Sequence, residues 1–296
     1  MTPGPAGRAG SAPRLPTGDP RRFLIPSEYL PAGFAARADH PPDPPVEPRP
    51  AATVALLRDG RGGPEALLLR RHGKSGFAAG AWVFPGGSVD AADRDPGLHC
   101  LLPGLESGAW AERLGVGDPA EAAGYLAAAL RETLEETGVV LGEGPGSRRA
   151  AAGWRLEELR EGLLAHRLTL GEVVERGVRF SGDGLVYLAH WITPEPELRR
   201  YDTRFFLAPV PAALEVRPHQ LELVDFRWVT PVEAVTLYRR GDLHMLPPTV
   251  HTLERLLNFR SVAEAADALR DAPVPTILPV MRPSDQGVII EVLEKP

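Results

Sequence analysis

The chain has a single cysteine, Cys100, which excludes an intramolecular disulfide and any zinc site built on several thiolates. Such sparing use fits a reducing compartment. No run approaches the roughly 20 apolar residues of a membrane-spanning helix. The N-terminal stretch also lacks the apolar core of a secretory signal. Positive charge is scarce as well: 33 Lys and Arg stand against 39 Asp and Glu, for a net charge of −6. No global basic field is available to hold nucleic acid phosphates or an anionic membrane. The expectation is a cytoplasmic protein with neither nucleic acid nor membrane as partner.

What the chain does have is unevenly placed. Of its 32 prolines, 13 fall in residues 1–50, a composition that buries too little apolar surface to offset the entropy of ordering. Residues 1–50 are therefore expected to form a disordered, Pro-rich leader, extended over 40–50, with Phe23, Leu24 and Ile25 able to dock on the body. From 51 to 296 the texture is that of one mixed α/β domain. Ala52–Leu57 and Glu65–Arg70 are short apolar runs split by an Asp-Gly-Arg-Gly-Gly-Pro turn, and so predict two strands. A third run, Trp82-Val83-Phe84, stops at Pro85-Gly86-Gly87.

Asp118-Pro119-Ala120-Glu121 has the pattern of a capping box with proline at the first helical position, and Gly138 supplies a stop. On the helix between them, Leu126, Leu130 and Leu134 share one face, while Glu132, Glu135 and Glu136 cluster on the other. Three glutamates at these spacings repel one another unless something positive sits among them. A hard divalent cation suits carboxylate oxygens, and magnesium commonly bridges a few carboxylates to substrate phosphates. Further along, 154–166 and 168–176 read as helices, 185–192, 203–209 and 221–229 as strands, and Thr230-Pro231-Val232-Glu233 as a second capping box. Two amphipathic helices, 249–258 and 261–269, and a strand from 287 to 293 complete the pattern.

The stretch Arg131-Glu132-Thr133-Leu134-Glu135-Glu136-Thr137-Gly138-Val139 resembles the second half of the box of the Nudix hydrolases, R-E-U-x-E-E-x-G-U with U aliphatic. Gly87 and, after five intervening residues, an acid at Asp93 resemble its first half. There are three departures. Aspartate replaces glutamate at 93, Thr133 replaces an aliphatic residue, and 37 residues rather than seven separate Asp93 from Arg131. A Nudix subgroup that cleaves coenzyme A is split in this way, with Phe-Pro-Gly-Gly and Asp-Ala-Ala-Asp ahead of the split, as in Phe84–Gly87 and Asp90–Asp93 here.

The resemblance implies a Nudix α/β/α sandwich, with a mixed sheet and a helical insertion at about 94–117 inside the box. It implies hydrolysis of a diphosphate linkage with Mg²⁺, or Mn²⁺ in its place. The metal would be held by the Gly86 carbonyl, Glu132, Glu135, Glu136 and Glu222. Arg131 would orient a carboxylate, Gly87 and Asp93 would support the loop, and Glu132 or Glu222 would take a proton from water. Arg70, Arg71, Lys74 and Arg204 are candidate phosphate contacts. The implied substrate is a small nucleotide, coenzyme A or acyl-coenzyme A, cleaved to 3′,5′-ADP and 4′-phosphopantetheine products. ADP-ribose or another nucleoside diphosphate derivative stays open, as do nucleotide binding without catalysis and assembly as a homodimer. An upstream coenzyme A signature known from short-box relatives is matched only in part, by Leu67-Leu68, Gly80 and Phe84.

Overall fold

The computed structural model describes residues 21–27, 30, 34–72, 80–105, 107–142, 154–219 and 223–292. Its centre is a mixed sheet. β2 (Arg49–Gly60) runs antiparallel to β3 (Gly63–Arg71), and β4 (Trp82–Val83) and β5 (Gly86–Ser88) join β3 and β2. β6 (Val186–Ile192) and β7 (Tyr201–Pro209) form an antiparallel pair, and β7 lies parallel to β2. β8 (Leu223–Val229) flanks β3, and the short β9 (Thr276–Ile277) lies parallel to β6.

Both faces of this sheet are covered, which explains why its strands read as continuous apolar runs rather than alternations. Val54, Leu56, Leu67, Leu69, Phe206 and Ala208 point to one core, and Ala55, Leu57, Ala66, Leu68, Phe205 and Leu207 to the other. The first core is closed by α4 (Pro119–Thr137), with α5 (Trp154–Leu164) and α6 (Leu170–Glu175) beside it. The second is closed by α7 (Pro231–Arg240), α8 (Pro247–Glu254) and α9 (Val262–Arg270). Helices on both sides of a mixed sheet are the expected α/β/α sandwich.

α4 starts and stops where its sequence signals lie. The Asp118 carboxylate caps it by accepting from the Ala120 amide at 2.9 Å, one residue earlier than a capping box through Glu121 would do. At the other end Gly138 adopts φ 71°, the left-handed turn that glycine permits. Leu126, Leu130 and Leu134 are fully buried against the sheet. The acidic face is only partly open to solvent, with Glu135 buried and Glu132 and Glu136 half-buried beside the β5 turn.

The insertion forms two short helices, α2 (Pro96–Leu101) and α3 (Ser107–Leu114). Trp110 packs edge-on against Phe206, and Arg113 Nη2 donates to the Arg270 and Ala272 carbonyls at 2.6 and 2.9 Å. These bonds tie the insertion to the end of α9. Within the leader, Arg22–Pro26 is a strand, β1, and Phe34–Asp39 a short helix, α1. β1 pairs antiparallel with β11 (Gly287–Glu291), which also pairs β10 (Val280–Ser284), giving a second, three-stranded sheet. Its apolar side, Phe23, Met281, Val288 and Ile290, joins the second core. The ordering of this part of the leader thus depends on residues some 265 positions away, a long-range pairing that local composition does not report.

Candidate active site

The two halves of the split box meet in space. After β5 the chain makes a 3₁₀ turn at Ala91–Arg94 that packs against α4 and brings Asp93 to Arg131. Asp93 is 1% exposed and Arg131 6%. Arg131 Nε donates to the Asp93 carboxylate at 3.1 and 3.3 Å and Nη2 at 2.9 Å, so the contact is a two-nitrogen fork on one carboxylate. Nη2 also donates to the Ser88 carbonyl at 2.8 Å. Nη1 donates to Glu132 at 2.8 Å and Glu135 at 3.2 Å. Every nitrogen of the guanidinium is therefore engaged. Burial alone would weaken its charge, but the Asp93 hydrogen bonds and the charges of Glu132, Asp93 and Glu135 outweigh burial and hold it protonated well above the usual arginine range.

The same turn reaches the helix through its glycines. The Gly86 amide donates to Glu136 Oε2 at 3.0 Å. A Cβ on Gly87 would stand 2.4 Å from Glu132 Oε1, so only a residue without a side chain lets the strand lie this close to that carboxylate. Thr133, placed where the box has an aliphatic residue, is fully buried and its hydroxyl donates to the Ala129 carbonyl at 2.7 Å. That bond satisfies the polar atom and lets threonine fill an apolar slot.

Charge in this cluster is unbalanced. Within 4 Å, Arg131 faces Asp93, Glu132, Glu135 and, at 3.8 Å, Asp90. Burial pushes the Glu132 carboxyl up to about 7 despite Arg131, with Glu135 and Asp93 adding repulsion. Burial likewise raises Glu135 and Asp93, offset in part by Arg131. An oxygen-only donor set with surplus negative charge suits a hard divalent cation. Among the described residues, however, no three acidic, His or Cys side chains are already gathered as a ligand set. Instead Glu132 and Glu135 turn to Arg131, and Glu136 to Gly86.

The remaining expected residues fall differently. Glu222 and Lys74 lie outside the described residues. Arg70 is exposed at the end of β3, and Arg71 follows it half-buried. Arg204 is buried under Tyr125, its Nη1 donating to Asp202 at 2.6 Å, so Asp202 already neutralises it. One residue the motif reading did not select is Arg160 of α5, whose Nε donates to the Glu135 main-chain carbonyl at 2.8 Å. The only sequence signal for it is indirect: the last turn of α4 carries acids and no basic residue.

A family model described as the NUDT19 Nudix domain matches residues 49–256. The chain belongs to the NUDT19 Nudix domain family. Its match includes both halves of the split box and strands β2 to β8 of the central sheet. A chicken (Gallus gallus) relative, "Acyl-coenzyme A diphosphatase NUDT19", is 30% identical over 244 residues, covering 67% of this chain and 62% of that protein. The human (Homo sapiens) relative of the same name is 28% identical over 264 residues, covering 75% of this chain and 65% of that protein. The chain thus matches just under two thirds of the length of these relatives. A NUDIX hydrolase from Alicyclobacillus acidocaldarius superposes with a TM-score of 0.61 at 27% identity, covering 77% of this chain and 99% of that one. The Nudix sandwich read from the box is therefore the fold of this chain. No helix among the described residues is long and apolar enough to cross a membrane.

Proposed function

We propose that the protein hydrolyses the diphosphate linkage of coenzyme A or acyl-coenzyme A, releasing 3′,5′-ADP and a 4′-phosphopantetheine product. The observation that carries the reading is the acidic cluster of α4, with Glu135 buried and Glu132 and Glu136 half-buried, lying on the Gly86–Gly87 turn. The activity in the printed names of the chicken and human relatives supports the choice of substrate.

Glu132, Glu135 and Glu136, with the Gly86 carbonyl and Glu222, are the groups proposed to hold Mg²⁺ or Mn²⁺. When bound, such an ion neutralises phosphoryl oxygens and lowers the pKa of water. The chain's own residues do the rest. Asp93 holds the Arg131 fork, and Arg131 in turn fixes Glu132 and Glu135 so that their free oxygens keep one orientation. Gly86 fixes Glu136 in the same manner. Glu132 or Glu222 accepts the proton of the attacking water, and Arg70 and Arg71 at the end of β3 meet substrate phosphates. No covalent enzyme intermediate is needed.

The test is a product assay with purified protein and Mg²⁺ on coenzyme A, its acyl esters, ADP-ribose and dinucleoside polyphosphates. We expect 3′,5′-ADP from coenzyme A or its esters, and collapse of turnover in Glu135→Gln and Glu136→Gln. Unchanged turnover in both variants, or preferred cleavage of ADP-ribose, contradicts the proposal.

A further inference from the structure

An α-helix leaves its last carbonyls without intrahelical partners, and its C-terminal end carries partial negative charge. α4 makes this worse by placing Glu135 and Glu136 in its final turn with no basic residue there. The last three carbonyls nevertheless each find a donor from elsewhere in the chain. The Arg217 amide donates to the Thr137 carbonyl at 2.8 Å and the His219 amide to that of Glu136 at 3.1 Å. The Glu135 carbonyl is met by a side chain, Arg160 Nε, at 2.8 Å.

Arg160 is 2% exposed. Leu159 and Leu163 on the same helix are buried in the first core and fix its approach. Its Nη1 donates to Glu157 at 3.2 Å, and its Nη2 has no hydrogen-bond partner among the described residues. Burying a guanidinium with a donor unmet is costly. What the position supplies is a cation and a donor to the turn that carries two of the proposed metal carboxylates.

We infer that Arg160 is a positioning residue for the metal site, holding the Glu135–Glu136 turn of α4 in register with Gly86. This rests on the reading of that turn as a metal site. Charge and positioning predict opposite signs. If Arg160 acted only as a nearby positive charge, removing it would tighten cation binding; if it positions the turn, removing it weakens binding.

Mn²⁺ affinity of the full chain, read by electron paramagnetic resonance of the free ion, separates the two. Arg160→Met is expected to bind Mn²⁺ about tenfold more weakly, as for other residues that orient metal ligands. At saturating metal its KM for coenzyme A should stay near that of the unaltered protein. Arg160→Lys keeps the charge and one donor, guards against a variant that does not fold, and is expected to fall between the two. Mn²⁺ affinity unchanged or tighter in both variants overturns the inference while leaving the metal site intact. If the unaltered chain itself fails to retain Mn²⁺, the site reading falls, and this inference with it.

Discussion

Asp93 and Arg131 form a buried two-nitrogen ion pair across 37 intervening residues, and through Arg131 that pair also governs Glu132 and Glu135. Removing one partner of a buried pair strands the other charge. Asp93→Ala is therefore expected to lower the unfolding free energy by about 3 kcal/mol, the lower end of such losses because Ser88, Glu132 and Glu135 still accept from Arg131. Urea denaturation measures it; a loss under about 0.5 kcal/mol, the usual effect of a surface substitution, would show that the pair does not brace the box.

Gly87 gives a sharper contrast between stability and activity. An alanine there must displace the Glu132 carboxylate, which Arg131 Nη1 holds at 2.8 Å. Displacements of about 1 Å at reacting groups cost on the order of a hundredfold in rate. Gly87→Ala should lose that much in kcat/KM while remaining folded by circular dichroism. Full activity in the variant would mean Glu132 can move without consequence.

The leader's contribution to the fold is testable at Phe23. It is 3% exposed, in a strand paired with β11. Truncating a buried phenylalanine costs about 3–5 kcal/mol in a packed core. Phe23→Ala is expected to lower the melting temperature clearly, and an unchanged melting curve would show that β1 adds nothing to the body.

Two buried histidines should lose stability on mild acidification, against an opposing gain from Glu132, whose raised carboxyl takes up a proton in the folded chain over the same range. His190 and His244 both sit below the ordinary value of 6.5, chiefly because burial disfavours the imidazolium. At His190 the Asp202 hydrogen bond opposes this in part and Arg204 adds to it; its Nδ1 also meets the Thr276 hydroxyl. Below 6.5 these two histidines bind more protons in the unfolded chain than in the folded one, so the stability they contribute above that pH is lost progressively as pH falls. The depressed Asp202 carboxyl extends the loss to lower pH, below 3.8. Urea midpoints at about pH 7.5 and 5.5, compared between the unaltered chain and His190→Asn, isolate the histidine part: the unaltered chain should lose more on acidification than the variant, and an identical change in both would overturn the assignment to His190.

Much of the candidate site is legible in the sequence because it is local. The caps at Asp118 and Gly138, the leucine stripe and the three glutamates all lie within one helix, where a period of 3.6 residues turns spacing into direction. The sheet runs were legible as strands because burial on both faces leaves them almost wholly apolar. The strand at Arg22–Pro26 was not, since its partner lies near the other end of the chain and proline content dominated the local signal. Nor was the engagement of Arg204 by Asp202, because a charged residue on a strand reads as surface until the helix covering it is in place.

The amino-acid order alone determined which groups are available: a helix bearing three carboxylates, a glycine turn, and an arginine and an aspartate separated by an insertion. Periodicity and capping act over a few residues, so those features are settled within each segment. Tertiary structure decided what the groups face. It closed the split box through Asp93 and Arg131, laid Glu136 on Gly86, and brought Arg160 from a separate helix to a carbonyl that α4 could not satisfy itself. Such contacts form only when the burial of both cores offsets the entropy of joining distant segments.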